Sequence, residues 1–297
     1  MDDAEQTARI ARAMVIGKIA NCRTALLRAA RERAEDQPAA AIREAAQCMA
    51  GTLQRLSGSL PLDTARGCEG EAAAAYFAVF DHLILAQREH FTFKKRLRRP
   101  PLDPVNALLS FLYTLLMHDV AGTVEAVGLY PAVGFLHRDR PGRLGLALDL
   151  MEELGPILAD RLALSLINRR QIDGAKFRTQ ESGAVWMDDD TRKEVLLAYQ
   201  TRKQETITHP FINEEIQLGL VPHVQALLLA RHIRGDLDEM LLRSELFQVG
   251  TTKQVAARGH RHHSDNLPWR QGQTMPTTTF ASRPGRCLAM RTDVTRY

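Results

Sequence analysis

Gly134-Phe135-Leu136-His137 and, after the polar loop Arg138-Asp139-Arg140-Pro141-Gly142-Arg143, Leu146-Ala147-Leu148-Asp149-Leu150-Met151-Glu152-Glu153 decide how this chain is read. The second segment is apolar except at two carboxylates spaced three apart and the Glu153 that follows them. That spacing places Asp149 and Glu152 on one face of a helix, so both can aim at one point. A carboxylate in such apolar company is costly unless paired or bound to a metal. The plain alternative is a salt bridge to Arg143 or Arg161. His137 ends an apolar approach at a loop, where it reads as a metal ligand or as a structural hydrogen-bonding group.

Upstream, Gly67-Cys68-Glu69-Gly70 supplies a further carboxylate. A helix starting near Gly67 would put Glu69 in its first turn, where the helix dipole favours a negative charge, so simple capping is the competing reading. Three carboxylates and one imidazole suit a hard divalent ion, Mg2+ or Mn2+. Between Glu69 and His137 lies Lys94-Lys95-Arg96-Leu97-Arg98-Arg99, five cations in six residues. It reads either as a solvated connector or, with Arg138, Arg140 and Arg143, as a strip for DNA phosphates. Such contacts position a backbone without reading its bases.

Periodicity predicts a mainly α protein, an irregular multi-helix bundle. Helices are expected over about 5–34, 40–56, 67–85 and 104–117, with a short one following the last. Further helices are expected over 144–171, kinked at Gly155-Pro156, and over 191–206 and 222–234. A small β-hairpin is expected between Phe177 and Trp186. Residues 1–239 form the expected helical catalytic domain. Residues 240–297 form a basic tail of low order, with nine Lys/Arg against three Asp/Glu, leaving 30 against 32 in the body. The net charge of +4 therefore comes from the tail and is no argument for DNA binding by the body.

Other chemistries lack their motifs. No Glu has His three residues later, as carboxylate-bridged di-iron bundles require. The four cysteines are unpaired in spacing, against a zinc site and in keeping with a reduced cytoplasm. Cys22 and Cys48 are expected to fill the core, and His209, His223 and His232 to be structural. Neither a serine elbow nor a phosphate-cradling Gly-rich loop is present. No run of about 18 apolar residues marks a membrane span.

Seven segments in order resemble the CRISPR-associated integrase family, the first of the two universal Cas proteins, which inserts spacers into CRISPR arrays. They include Gly67 to Phe77, Arg98 to Ser110, Gly128-Leu129-Tyr130-Pro131, Gly134 to His137, Leu146 to Glu153, Thr208-His209-Pro210 and Arg231 to Glu239. The resemblance implies that Glu69, His137 and Glu152 bind the catalytic metal, with Asp149 in the same site, or behind it orienting His137. It implies double-stranded DNA, the small second universal Cas protein and a second copy of the chain as partners. Three departures stand out: the family's leading β-rich domain is not in this sequence, the pattern stops after Glu239 as though the frame had shifted or the end recombined, and Gly155 replaces an expected Arg. The competing function is a truncated helical DNA-binding remnant without chemistry.

Overall fold

The computed structural model describes residues 3–33 and 36–237. The expected tail over 240–297 lies outside the described residues. Helix α1 (Ala4–Arg31) opens on Asp3, whose side chain accepts from the Glu5 and Gln6 amides. It buries Ile10, Met14, Val15, Ile19, Cys22, Leu26 and Ala30, a helical stripe. That stripe lies against α2 (Gln37–Leu56), α3 (Leu62–Ala78) and α5 (Gly145–Leu154). Cys22 is core as expected, but Cys48 is exposed because it falls on the outer face of α2.

Helix α4 (Pro104–Ala126) begins at Asp103, which accepts from the Asn106 amide at 2.7 Å, with Pro104 in the first turn. It does not stop near Met117. His118-Asp119 looks like a break, yet Asp119 finds distant partners: it accepts from the Tyr199 hydroxyl at 2.9 Å and pairs with Lys203 at 2.6 Å. Leu108, Leu112, Leu116, Val120 and Val124, at intervals of four, are fully buried. Each such side chain contributes roughly 1.5–3 kcal/mol by burial. By length and composition α4 could cross a membrane (mean hydropathy 1.4), but this stripe makes it the central core helix, packed on α5 and α8 (Val221–Arg234).

The expected kink at Gly155-Pro156 takes the form of a π-helical segment, Gly155–Asp160, joining α5 to α6 (Arg161–Asn168). Gly155 is required by close approach: a Cβ there would lie 2.8 Å from the Tyr113 hydroxyl oxygen. Asp160, 1% exposed, ends this segment. Burial pushes its carboxyl up from 3.8 to about 6, although Tyr113, Arg96 and Tyr76 pull the other way. A value raised on folding means stability that is complete below pH 3.8 and lost as pH rises through about 6. Asp160→Asn should therefore melt like the wild type near pH 4 and higher above pH 6. The gain is bounded at roughly 3 kcal/mol, because each tenfold change in proton affinity is worth about 1.4 kcal/mol. Thermal melts across that range measure it.

The expected hairpin is present, with β1 (Phe177–Thr179) antiparallel to β2 (Val185–Met187) and Arg178 opposite Trp186. After α7 (Asp189–Lys203), a second hairpin pairs β3 (Thr206–Thr208) with β4 (Glu215–Gln217), which periodicity does not foresee in strands of three residues. His209 lies in its turn, with Nδ1 accepting from the Phe211 and Ile212 amides at 3.3 and 3.4 Å.

Candidate active site

Glu69 stands in the middle of α3, not at its start. The helix begins at Leu62, directly behind Pro61, and carries Gly67 and Gly70 within it. Each glycine costs about 1 kcal/mol in a helix. Burial of Ala65, Cys68, Ala72 and Tyr76 on one face against α1 offsets that cost. Glu69 is therefore too far from the N-terminus for capping, since the dipole acts within the first turn.

The segment before α5 wraps around Asp149. The Phe135 and Leu136 amides donate to Oδ2 at 2.5 and 2.9 Å, and the His137 amide donates to Oδ1 at 3.0 Å. Gly134 makes this wrapping sterically possible: a Cβ there would lie 2.8 Å from Asp149 Oδ2 and 2.7 Å from the Gly145 carbonyl carbon. Asp149 is fully buried and also meets His137 Nδ1 at 2.6 Å. An acceptor-only carboxylate at Nδ1 places the ring proton there, so Nε2 keeps its lone pair in the neutral ring. Nε2 faces Glu152 Oε1 at 3.6 Å. Asp149 thus orients the histidine and cannot itself reach a substrate.

Glu69 and Glu152 are joined by Lys18 of α1. Its Nζ pairs with Glu69 Oε1 and lies 2.5 Å from Glu152 Oε2. Burial alone would lower the Lys18 value, but the charges of Glu152 and Glu69 outweigh it and raise it above the ordinary one. Glu152 shows the converse: burial would raise its carboxyl, and the Lys18 ammonium holds it below the ordinary value. Among the described hydrogen bonds and ion pairs, neither Arg143 nor Arg161 pairs with Asp149 or Glu152, so the salt-bridge reading had the wrong partner. As the side chains stand, no three His, Cys, Asp or Glu groups among the described residues are gathered closely enough to hold an ion; the ammonium takes the position between the carboxylates. Sequence reasoning missed Lys18, although a signal was present: it lies one turn from both Met14 and Cys22, on the buried stripe of α1.

A cleft of about 290 Å³ opens over these groups, lined by Arg66, Glu69, Leu136, His137, Arg138, Arg140, Arg143 and Glu152. The sequence-predicted Glu69, His137 and Glu152 therefore share one cleft with all three arginines of the polar loop. Arg66, not anticipated, donates from Nε to the Leu136 carbonyl at 2.7 Å and steadies the histidine loop. The connector is pinned by the buried Asn106, whose Oδ1 accepts from Arg96 and the Leu97 amide, both at 2.8 Å, and whose Nδ2 donates to the Lys95 carbonyl at 2.9 Å. Arg96 is consequently turned into the fold, while Lys94, Lys95, Arg98 and Arg99 are exposed.

A protein-family model described as "CRISPR associated protein Cas1" matches residues 1–201. The chain belongs to the Cas1 family. It is 56% identical over 233 residues to the protein named CRISPR-associated endonuclease Cas1 2 of Rhodospirillum rubrum, covering 77% of this chain and 68% of that one. It is 53% identical over 237 residues to CRISPR-associated endonuclease Cas1 1 of Chlorobaculum tepidum, covering 80% and 69%. A solved chain of a partial Cas6-RT-Cas1–Cas2 complex superposes with a TM-score of 0.68 at 25% identity, covering 85% of this Cas1 chain and 71% of that one.

Proposed function

We propose that this Cas1 chain is a metal-dependent DNA endonuclease and integrase of CRISPR adaptation. The observation that carries the reading is one cleft in which two carboxylates from separate helices and an oriented imidazole face each other under an arginine rim. The donor set fits Mg2+ or Mn2+: two carboxylates that already accept a shared cation, plus an Nε2 lone pair. Glu69, His137 and Glu152 would hold the ion, which supplies charge stabilisation at the phosphodiester and acidifies the attacking hydroxyl.

The chain's own residues do the rest. Asp149 fixes the tautomer of His137, keeping Nε2 directed into the cleft. Arg66, Arg138, Arg140 and Arg143 line the path of a backbone, and arginine's fork suits bidentate phosphate contact. In integration a 3′-hydroxyl of the incoming DNA forms a new O–P bond at the edge of a repeat. The old 3′-O–P bond breaks, and the proton of the attacking hydroxyl ends on the departing oxygen. Water in place of that hydroxyl gives strand nicking by the same chemistry. The names of the two relatives support nuclease activity. The Cas1–Cas2 complex supports the small second Cas protein as a partner. Double-stranded DNA and a second copy of the chain complete the proposed set of partners.

A nicking and strand-transfer assay on branched DNA with Mn2+ tests this reading. Binding without any Mn2+-dependent strand chemistry would favour a helical DNA-binding protein without chemistry instead. Salt dependence tests the connector. Neutralising Lys94, Lys95, Arg98 and Arg99 together should flatten the plot of log affinity against log salt by about 0.9 for each phosphate left without its cation. Melting temperature should hardly move, because all four are exposed. Arg96→Ala should do the reverse, lowering stability through its missing bond to Asn106.

A further inference from the structure

Two carboxylates brought together in a partly dehydrated cleft repel each other unless a cation lies between them. Here that cation belongs to the protein. Lys18 bridges Glu69 and Glu152, with side chains of the three only 12%, 26% and 14% exposed. Its support is rigid. Asn21, three residues on, donates from Nδ2 to the Glu153 carbonyl at 2.8 Å, locking α1 to α5 beside the site. Met14 and Cys22, one turn before and after Lys18, are buried in the core. The ammonium is therefore delivered to the carboxylates by the packing of α1 and is not a surface group that happens to reach them.

We propose that Lys18 is a resident counter-ion of the active site: its ammonium bridges Glu69 and Glu152 in the metal-free protein, and a divalent ion binds in competition with it for those two carboxylates. The inference rests on the metal reading given above. It follows from charge and position. Lys18 meets Oε1 of Glu69 and Oε2 of Glu152, so a metal ion ligated by these two groups draws on carboxylate charge that the ammonium now balances, even through their other oxygens. An ammonium anchored on α1 also repels the ion. The protein thereby gains a folded site that needs no metal, at the expense of metal affinity. An entering DNA phosphate would offer the displaced ammonium a new partner, so metal and DNA should bind better together than apart.

The test measures Mn2+ binding to the full chain by the loss of the free-ion EPR signal, and thermal melting with and without Mn2+. Lys18→Met and the more polar Lys18→Gln are compared with the wild type and Glu152→Ala. Both Lys18 variants should bind Mn2+ about ten-fold more tightly or better, because a competing unit charge is gone. Both should melt lower than the wild type without metal and recover more of their melting temperature when Mn2+ is added. A variant that folds only in Mn2+ is the extreme form of the same result. Unchanged or weaker Mn2+ binding in both variants, or failure of both to fold even in Mn2+, would show that Lys18 supports the site without competing for it, and the proposal falls. If Glu152→Ala leaves wild-type Mn2+ binding unaltered, the metal reading itself falls and takes the proposal with it. That outcome is distinct from a failure confined to Lys18.

Discussion

Glu152→Ala is expected to remove strand nicking by on the order of a thousand-fold or more, because several kcal/mol of charge stabilisation at the phosphodiester depends on the ion it would hold. DNA binding should change by no more than a few-fold. In the proposed reading the phosphate contacts would come from Arg66, Arg138, Arg140 and Arg143, which line the cleft, and from the exposed connector, not from Glu152. The two effects separate because metal chemistry and phosphate positioning contribute independently to the free energy. The substitution also leaves Lys18 with Glu69 alone, and a buried cation that loses one of its two partners destabilises the fold. Activity and melting temperature must therefore be read together, with Glu152→Gln preserving the shape of the side chain. Nicking that survives in a folded Glu152→Ala protein would sink the assignment of this residue to the chemistry.

Much of this arrangement is legible in the sequence, and the misses have physical reasons. The apolar stripes of α1, α2, α7 and α8 give their helices to within a few residues, because those stripes face one continuous core. The middle of the chain is harder. Gly67 and Gly70 look like a helix start, and His118-Asp119 looks like a break. In both places tertiary partners override local preference: the α1 contact carries α3 through its glycines, and Tyr199 with Lys203 satisfies Asp119. Those partners lie tens of residues away and leave no local trace. The site divides in the same way. Glu69, His137, Asp149 and Glu152 stand out because carboxylates near a histidine, in a family's order, are an uncommon pattern. Lys18 is hidden among the many cations of α1, although its place on the buried face distinguishes it. Arg96 looks like its neighbours because a run of cations does not reveal which one Asn106 draws inward.

Asp149→Ala should be the most destabilising change in the site. The carboxylate accepts from the Phe135, Leu136 and His137 amides and from His137 Nδ1, all within 3.0 Å. Its loss strands buried donors at about 1–3 kcal/mol each. With partial relaxation the expected cost is about 4 kcal/mol, or about 10 °C in melting temperature at roughly 2–4 °C per kcal/mol for a domain of this size. Asn is no safe replacement, since its amide nitrogen would confront donors in place of one oxygen. The comparison that isolates the role of Asp149 is His137→Ala. That variant should lose nicking as completely but melt higher than Asp149→Ala, because the Phe135, Leu136 and His137 amides all keep their bonds to Asp149. If Asp149→Ala melts no lower than His137→Ala, the wrapped loop is not what holds the imidazole in place. The orientation of Nε2 would then need another source.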